Sequence, residues 1–247
     1  MRSLCKLTWV EAKLFLREPI GAFFTLAFPV LLLLLFGSMY GNEPAALFGG
    51  RGTVDVSVPA YTAMIIGTAG LMSLPTSIST YRERGVLRRL RLTPVRAEAI
   101  LVAQMLVAFC MTVLGMALLI LTGRLVYGLR FSGNPLSVAL AFVLGCLSFY
   151  ALGFILGGVL PTARSTQVVA MAFFYPMLFL SGAGMPRELL PEGLRRFSLI
   201  LPLTHVTTLL RGLWGGDPWS QHWLEVGVLA GILVVGTAVS ARVFRWE

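Results

Sequence analysis

Long apolar runs recur along this chain, and its most charged segment lies between two of them. A helix needs roughly 20 apolar residues to cross a bilayer. Six runs approach or meet that length: Ile20–Tyr40, Val58–Thr80, Ala97–Leu121, Leu136–Leu160, Gln167–Ala183 and Trp223–Ala241. Hydrophobic residues make up 57% of the 247 positions and charged residues only 13%, far from the balance of a soluble domain. The expected fold is therefore an all-α polytopic membrane protein with six transmembrane helices, in a single domain over 1–247. The net charge of +9 would suggest a nucleic-acid partner in a soluble chain. Here the charges gather at the ends of apolar runs, so orientation and contact with anionic membrane lipid explain them, with no nucleic acid.

Tyr81 to Val95 carries Arg82, Arg84, Arg88, Arg89 and Arg91, with Arg96 following. Arginine-rich short loops stay on the cytoplasmic side. Arg84, Arg88 and Arg91 fall on one helical face and Val86, Leu87 and Leu90 on a neighbouring one. A helix here should stop before Pro94, and Thr93 can cap the next span with Pro94 at its first position. Charge alone fits two readings equally: a short amphipathic helix across the ends of two spans, or a loop that only sets orientation.

Residues 1–17 place Arg2, Lys6, Lys13 and Arg17 in one sector, with Leu4, Leu7, Leu14 and Phe15 roughly opposite. That pattern predicts an interfacial amphipathic helix, the alternative being a solvated basic leader. Glu11 interrupts the apolar sector. Pro29 should kink the first span, and Pro75 should bend the second near its inner end. Gly153 and Gly157 predict a close helix contact, and Gly227 and Gly231 repeat the spacing. The stretch 184–221 is too broken to span, yet it has two apolar stripes. One is Leu190, Leu194, Phe197 and Leu201; the other is Val206, Leu209, Leu210 and Leu213. Two short helices separated by Pro202 are expected, either re-entrant or lying on the surface. Thirteen Lys and Arg fall on the predicted inner side and seven on the outer, which favours N-in and C-in.

The pattern E-R-G-x-L-x-x-L-x-x-T-P-V resembles the loop between the second and third spans of permeases of the ABC-2 family, the membrane halves of type V ABC exporters. Glu83, Gly85, Leu90, Thr93 and Pro94 are the matching positions; Arg84 stands where the common form is acidic. The resemblance implies that 81–93 is a coupling helix docking on an ATPase subunit, with Arg82, Arg84, Leu87 and Arg88 in the contact. S-G-x-G-M-P-x-E-L-L-P-x-x-L followed by P-L-T-H and a later arginine is similar to the family's segment between spans five and six. Ser181, Gly182, Pro186, Pro191, Pro202, Leu203, Thr204, His205 and Arg211 match. This implies re-entrant external helices, with Pro186, Pro191, Pro202, His205 and Arg211 forming an outer gate.

A phosphate-binding loop needs a glycine-rich turn and a lysine. The only lysines are Lys6 and Lys13, and neither follows such a turn. No cofactor, metal or catalytic residue is expected here, and the resemblance to ABC permeases implies that ATP and Mg are bound by a separate ATPase chain. No acidic residue lies near a span centre, which argues against an ion-driven carrier. Phe24, Phe28, Met72, Phe174 and Tyr175 offer an adaptable apolar path, or simply pack or face lipid. His205 lacks a partner catalytic motif, so an enzyme is not expected. The resemblance implies a paired permease in the bacterial cytoplasmic membrane, as a homodimer or heterodimer, exporting an amphipathic drug or natural product. Two alternatives remain: export of a lipid or lipid-linked glycan by the same architecture, and a channel or scaffold without an ATPase.

Overall fold

The computed structural model describes residues 2–17, 19–86 and 97–243. They are nearly all helical. Helix α1 is Arg2–Arg17. Residues 19–40 form α2, and Thr53–Glu83 is α3. Then follow α4 (Ala97–Tyr127), α5 (Pro135–Val159), α6 (Ala163–Leu180), α7 (Glu192–Ser198), α8 (Pro202–Trp214) and α9 (Trp223–Val243). One departure from an all-α chain is a two-stranded antiparallel ladder, Pro44–Ala45 with Arg51–Gly52.

Among the described residues, five helices are long and apolar enough to cross a membrane: α2, α3, α4, α5 and α9. The remaining long helix, α6, has 18 residues but opens on Arg164, Ser165, Thr166 and Gln167. That polar first turn keeps it out of the five.

Helix α3 is the axis of the bundle. Its most apolar window is 83% buried, against 22%, 28%, 56% and 11% in α2, α4, α5 and α9. Val58, Ala63, Ile65, Ile66 and Ile78 along it are fully buried. At about 1.5 Å per residue, its 31 residues span about 45 Å, the thickness of a bilayer with its headgroups.

A wide π-helical turn stands before each of the two prolines expected to bend a span. Phe23–Ala27 precedes Pro29, and Thr68–Ser73 precedes Pro75. Proline has no N–H for the carbonyl four residues back, and its ring crowds that carbonyl. The bond from Phe28 N–H therefore reaches Phe23 O, and that from Leu74 N–H reaches Ala69 O. The two wide turns pack on each other across the bundle.

Glycines let neighbouring backbones in. A Cβ on Gly153 would sit 2.1 Å from Gly70 O, and one on Gly157 would sit 3.0 Å from Pro75 O. The expected close contact of Gly153 and Gly157 is thus a crossing of α5 on α3. Gly227 and Gly231 differ: a Cβ on either would meet nothing within 4 Å. α9 instead docks on α5 through Gly236 against Ala151 and through Ser148 Oγ, which donates to Leu229 O at 2.8 Å.

Candidate functional site at the two ends of the central helix

Polar side chains cluster at both ends of α3. At its C-terminal end the helix runs to Glu83, with Arg84 as cap and Gly85 at φ +63°. Glycine adopts that left-handed turn without steric cost. Tyr81, Arg82 and Glu83 are therefore the last turn of α3 rather than the start of a separate helix. Leu87, Arg88, Leu90, Thr93 and Pro94 lie outside the described residues.

Arg82 and Glu83 turn toward the α5–α6 junction. Arg82 Nη1 donates to Gly157 O, Gly158 O and Leu160 O at 2.7, 2.8 and 3.2 Å, which caps the carbonyl end of α5. A cation suits the negative end of a helix dipole. Glu83 Oε2 accepts from Ala163 N at 2.9 Å, at the amide end of α6. Beneath them, Ser79 Oγ and Thr166 Oγ1 share a buried hydrogen bond of 2.7 Å. One turn of α3 thus grips two further helices. Arg84 is exposed.

Tyr81 points the other way. Its hydroxyl donates to Glu11 Oε1 at 2.7 Å. Glu11, which interrupts the apolar sector of α1, is the anchor that ties α1 to α3. Burial pushes the Glu11 carboxyl above its ordinary value, against the opposing pull of the Tyr81 hydroxyl. A raised carboxyl means that the docked helix holds more protons than the released one. Docking of α1 should therefore be tightest near pH 4.5 and weaken as pH climbs toward the folded-state value. Protease accessibility of α1 across that range should show this trend, and Glu11→Gln should flatten it.

Between α1, α3 and α4 lies a cavity of 410 Å³. Ser77, Thr80 and Tyr81 line it from α3, Glu11 from α1 and Gln104 from α4. Gln104 is 5% exposed, and its amide, which lies near Glu11 and Tyr81, makes no hydrogen bond of normal geometry among the described residues.

At the other end of α3, Asn42 supplies the cap from outside the helix. Its Oδ1 accepts from Val54 N and Asp55 N at 3.0 and 3.1 Å. Asp55 Oδ1 accepts from Asn42 Nδ2 and Arg130 N at 2.9 and 2.8 Å. The expected pair of short helices is here, as α7 and α8. Pro186 precedes a 3₁₀ turn, Pro191 caps α7, and Pro202 opens α8. His205 Nε2 lies 2.9 Å from Leu199 O, at the end of α7. Arg211 Nη2 bonds Glu188 Oε1 at 2.9 Å. The stripe Val206, Leu209, Leu210 and Leu213 is buried as expected. Leu194 and Phe197 of the other stripe are not; they are about half exposed.

The five aromatic and sulfur residues lie on α2, α3 and α6, in segments that pack on the α3 π-turn. Phe24 and Phe28 pack at a tilt within α2, their ring centroids 5.2 Å apart. Phe174 is buried against Gly67 of α3, Tyr175 is exposed, and Met72 sits in the α3 π-turn. None lines the 410 Å³ cavity. Sequence patterns missed the Tyr81–Glu11 bond because it joins residues 70 positions apart. The one available signal was a carboxylate on the wrong face of α1. Among the described residues, no group of three His, Cys, Asp or Glu is placed to hold a metal.

A bundle of long apolar helices around a buried axis, with polar clusters at both ends, defines an integral membrane protein. The family model described as ABC-2 type transporter matches residues 2–214, and the chain belongs to that family. It is 25% identical to the daunorubicin resistance ABC transporter permease protein DrrB1 of Streptomyces coeruleorubidus, covering 96% of this chain and 84% of that one. It is 23% identical to the probable multidrug ABC transporter permease YbhR of Escherichia coli, over 67% of this chain and 46% of that protein. It is 33% identical to nodulation protein J of Rhizobium leguminosarum bv. viciae, over 44% of each. The match therefore spans about half the length of the latter two.

Proposed function

We propose that this chain is the membrane permease of an ATP-driven exporter, and that a separate ATPase subunit moves it from the cytoplasmic side through residues 81–94. The supporting observation is the grip of the last turn of α3. Arg82 holds the end of α5 and Glu83 the start of α6, so a push on the segment after Gly85 reaches three helices at once. In this reading α6 is the fifth of six spans and both chain ends face the cytoplasm. Residues 184–221 close the outer mouth, and two permeases pair to form the pathway.

The cargo is an amphipathic small molecule, a drug or natural product, taken from the inner leaflet. The 410 Å³ cavity beside α1 has the size of a small-molecule site, and it mixes hydroxyls with apolar wall. Two relatives carry drug-related names, in keeping with that class. The test is ATP hydrolysis by the permease with its ATPase in lipid discs. An amphipathic drug should stimulate it, and Gln104→Leu should reduce that stimulation severalfold while basal hydrolysis persists. Stimulation by a lipid-linked glycan and not by drugs would shift the cargo to the glycan. No ATPase engagement at all would return the chain to a channel or scaffold.

A further inference from the structure

A second cavity, of 490 Å³, opens at the end of α3 opposite the Arg82–Glu83 grip. Arg51, Arg187, Arg195 and Arg211 line it, against two carboxylates, Glu188 and Asp217. Those carboxylates are already engaged. Arg211 takes Glu188 at 2.9 Å, and Arg51 takes Asp217 at 3.4 Å. Arg187 and Arg195 form no ion pair among the described residues, and with Glu225 nearby as a third carboxylate the four arginines still outnumber the acids.

Arg187 cannot simply swing into water. Its Nη1 donates to Thr208 Oγ1 at 3.2 Å, while its Nε is buried without a partner. Its stem lies over Gly182, where a Cβ would come within 2.9 Å of it. Burial pushes its pKa below the ordinary arginine value, and Arg211 and Arg195 add to the fall against the pull of Glu188. A cation held half-buried beside other cations is costly unless an anion joins it.

An independent observation comes from His222 in the same wall. It is 7% exposed, and among the described residues neither ring nitrogen makes a hydrogen bond; Nε2 lies 3.7 Å from Asp217 Oδ2 and Nδ1 3.7 Å from Glu225 Oε2. The ring is held in place by its close approach to Gly212, where a Cβ would lie 2.1 Å from Nε2. Polar atoms this deeply buried are normally satisfied. Beside the cavity, Leu189, Leu194 and Phe197 stand about half exposed, an apolar flank next to a basic mouth.

We infer that this cavity binds a phosphate-type oxyanion, with Arg187 and Arg195 supplying the unbalanced charge and His222 facing the bound group. Guanidinium forks match the geometry of phosphate oxygens. The exposed apolar flank suits a headgroup whose chains lie along α7. The same chemistry would accept a free phosphate. The inference does not rest on the exporter reading, because it concerns this chain alone.

The test uses the purified chain in mixed detergent with equal phosphatidylglycerol and phosphatidylcholine. Native mass spectrometry reads the retained lipid. Thermal unfolding is followed in parallel with and without millimolar inorganic phosphate. The wild type should retain the anionic lipid about fivefold or more over the zwitterionic one. Arg187→Gln with Arg195→Gln should remove that preference, and Arg124→Gln, on the exposed end of α4, should leave it. Arg195→Gln alone serves if the double variant does not fold, since Arg195 is exposed. Protection by phosphate without lipid preference, lost in the same variants, would identify a free anion as the ligand. Neither effect in the wild type, or effects that survive these substitutions, would overturn the assignment.

Discussion

Gly153→Val should abolish the folded, detergent-stable protein, whereas Gly227→Val should leave it intact. The two substitutions add the same side chain to glycines in the same four-residue spacing. At Gly153 the new Cβ would lie 2.1 Å from the carbonyl of Gly70 and 3.3 Å from Pro75 Cδ. Backbone cannot move aside as a side chain can, so α5 must lift off the axis of the bundle. Overpacking of this kind costs about 3 kcal/mol or more. At Gly227 a Cβ meets nothing within 4 Å, and the change should stay within about 0.5 kcal/mol. Thermal unfolding in detergent separates the two directly. Equal stability of both variants would mean that α5 does not cross α3 where the wide turn opens.

The second large effect is expected at Arg82. Arg82→Ala strips three carbonyls at the end of α5 of a shared charged donor. Charge-assisted bonds are among the stronger ones, so the loss should be about 3 kcal/mol, discounted for partial exposure. Arg82→Lys should recover only part of it, because an ammonium cannot fork across several acceptors. Glu83→Gln should be nearly silent, since the amide oxygen can still accept from Ala163 N. Glu83→Ala should cost about 1 kcal/mol, as for other lost helix caps. In the exporter reading, Arg82→Ala should also cut cargo-stimulated ATP hydrolysis about tenfold or more, because α5 no longer follows α3. Full stimulation in a stable Arg82→Ala protein would remove Arg82 from the transmission path.

Much of this was legible in the residues themselves. Apolar runs located every long helix, because a run of that length has few other ways to satisfy its backbone in lipid, though α3 starts five residues earlier and α4 runs six residues further than expected. Pro29 and Pro75 marked the sites of the wide turns, and Gly153 with Gly157 announced the crossing. Other features depend on who sits opposite, which spacing along one chain does not encode. Gly227 and Gly231 repeat the same signal without a neighbour. Glu83 reads as a surface acid of a docking loop, but it caps a helix 80 residues away. The aromatic and sulfur residues expected to line a path lie on α2, α3 and α6, while the 410 Å³ cavity is walled by other residues, hydroxyls, Glu11 and Gln104 among apolar side chains such as Leu14 and Val107. The arginines of the 490 Å³ cavity come from the hairpin before α3 and from the α6–α8 stretch, and only the folded chain brings them together.

The central claim is that a separate ATPase drives this permease through the segment after Gly85. Crosslinking in host membranes, followed by purification of the chain and mass spectrometry of the linked peptides, tests it most directly. An ABC ATPase should be recovered, linked to residues 84–94, and Arg88→Glu with Arg91→Glu should lower its recovery severalfold without changing the unfolding temperature. Recovery of the chain without any ATPase, or links confined to the Asn42–Asp55 end of α3, would contradict the account.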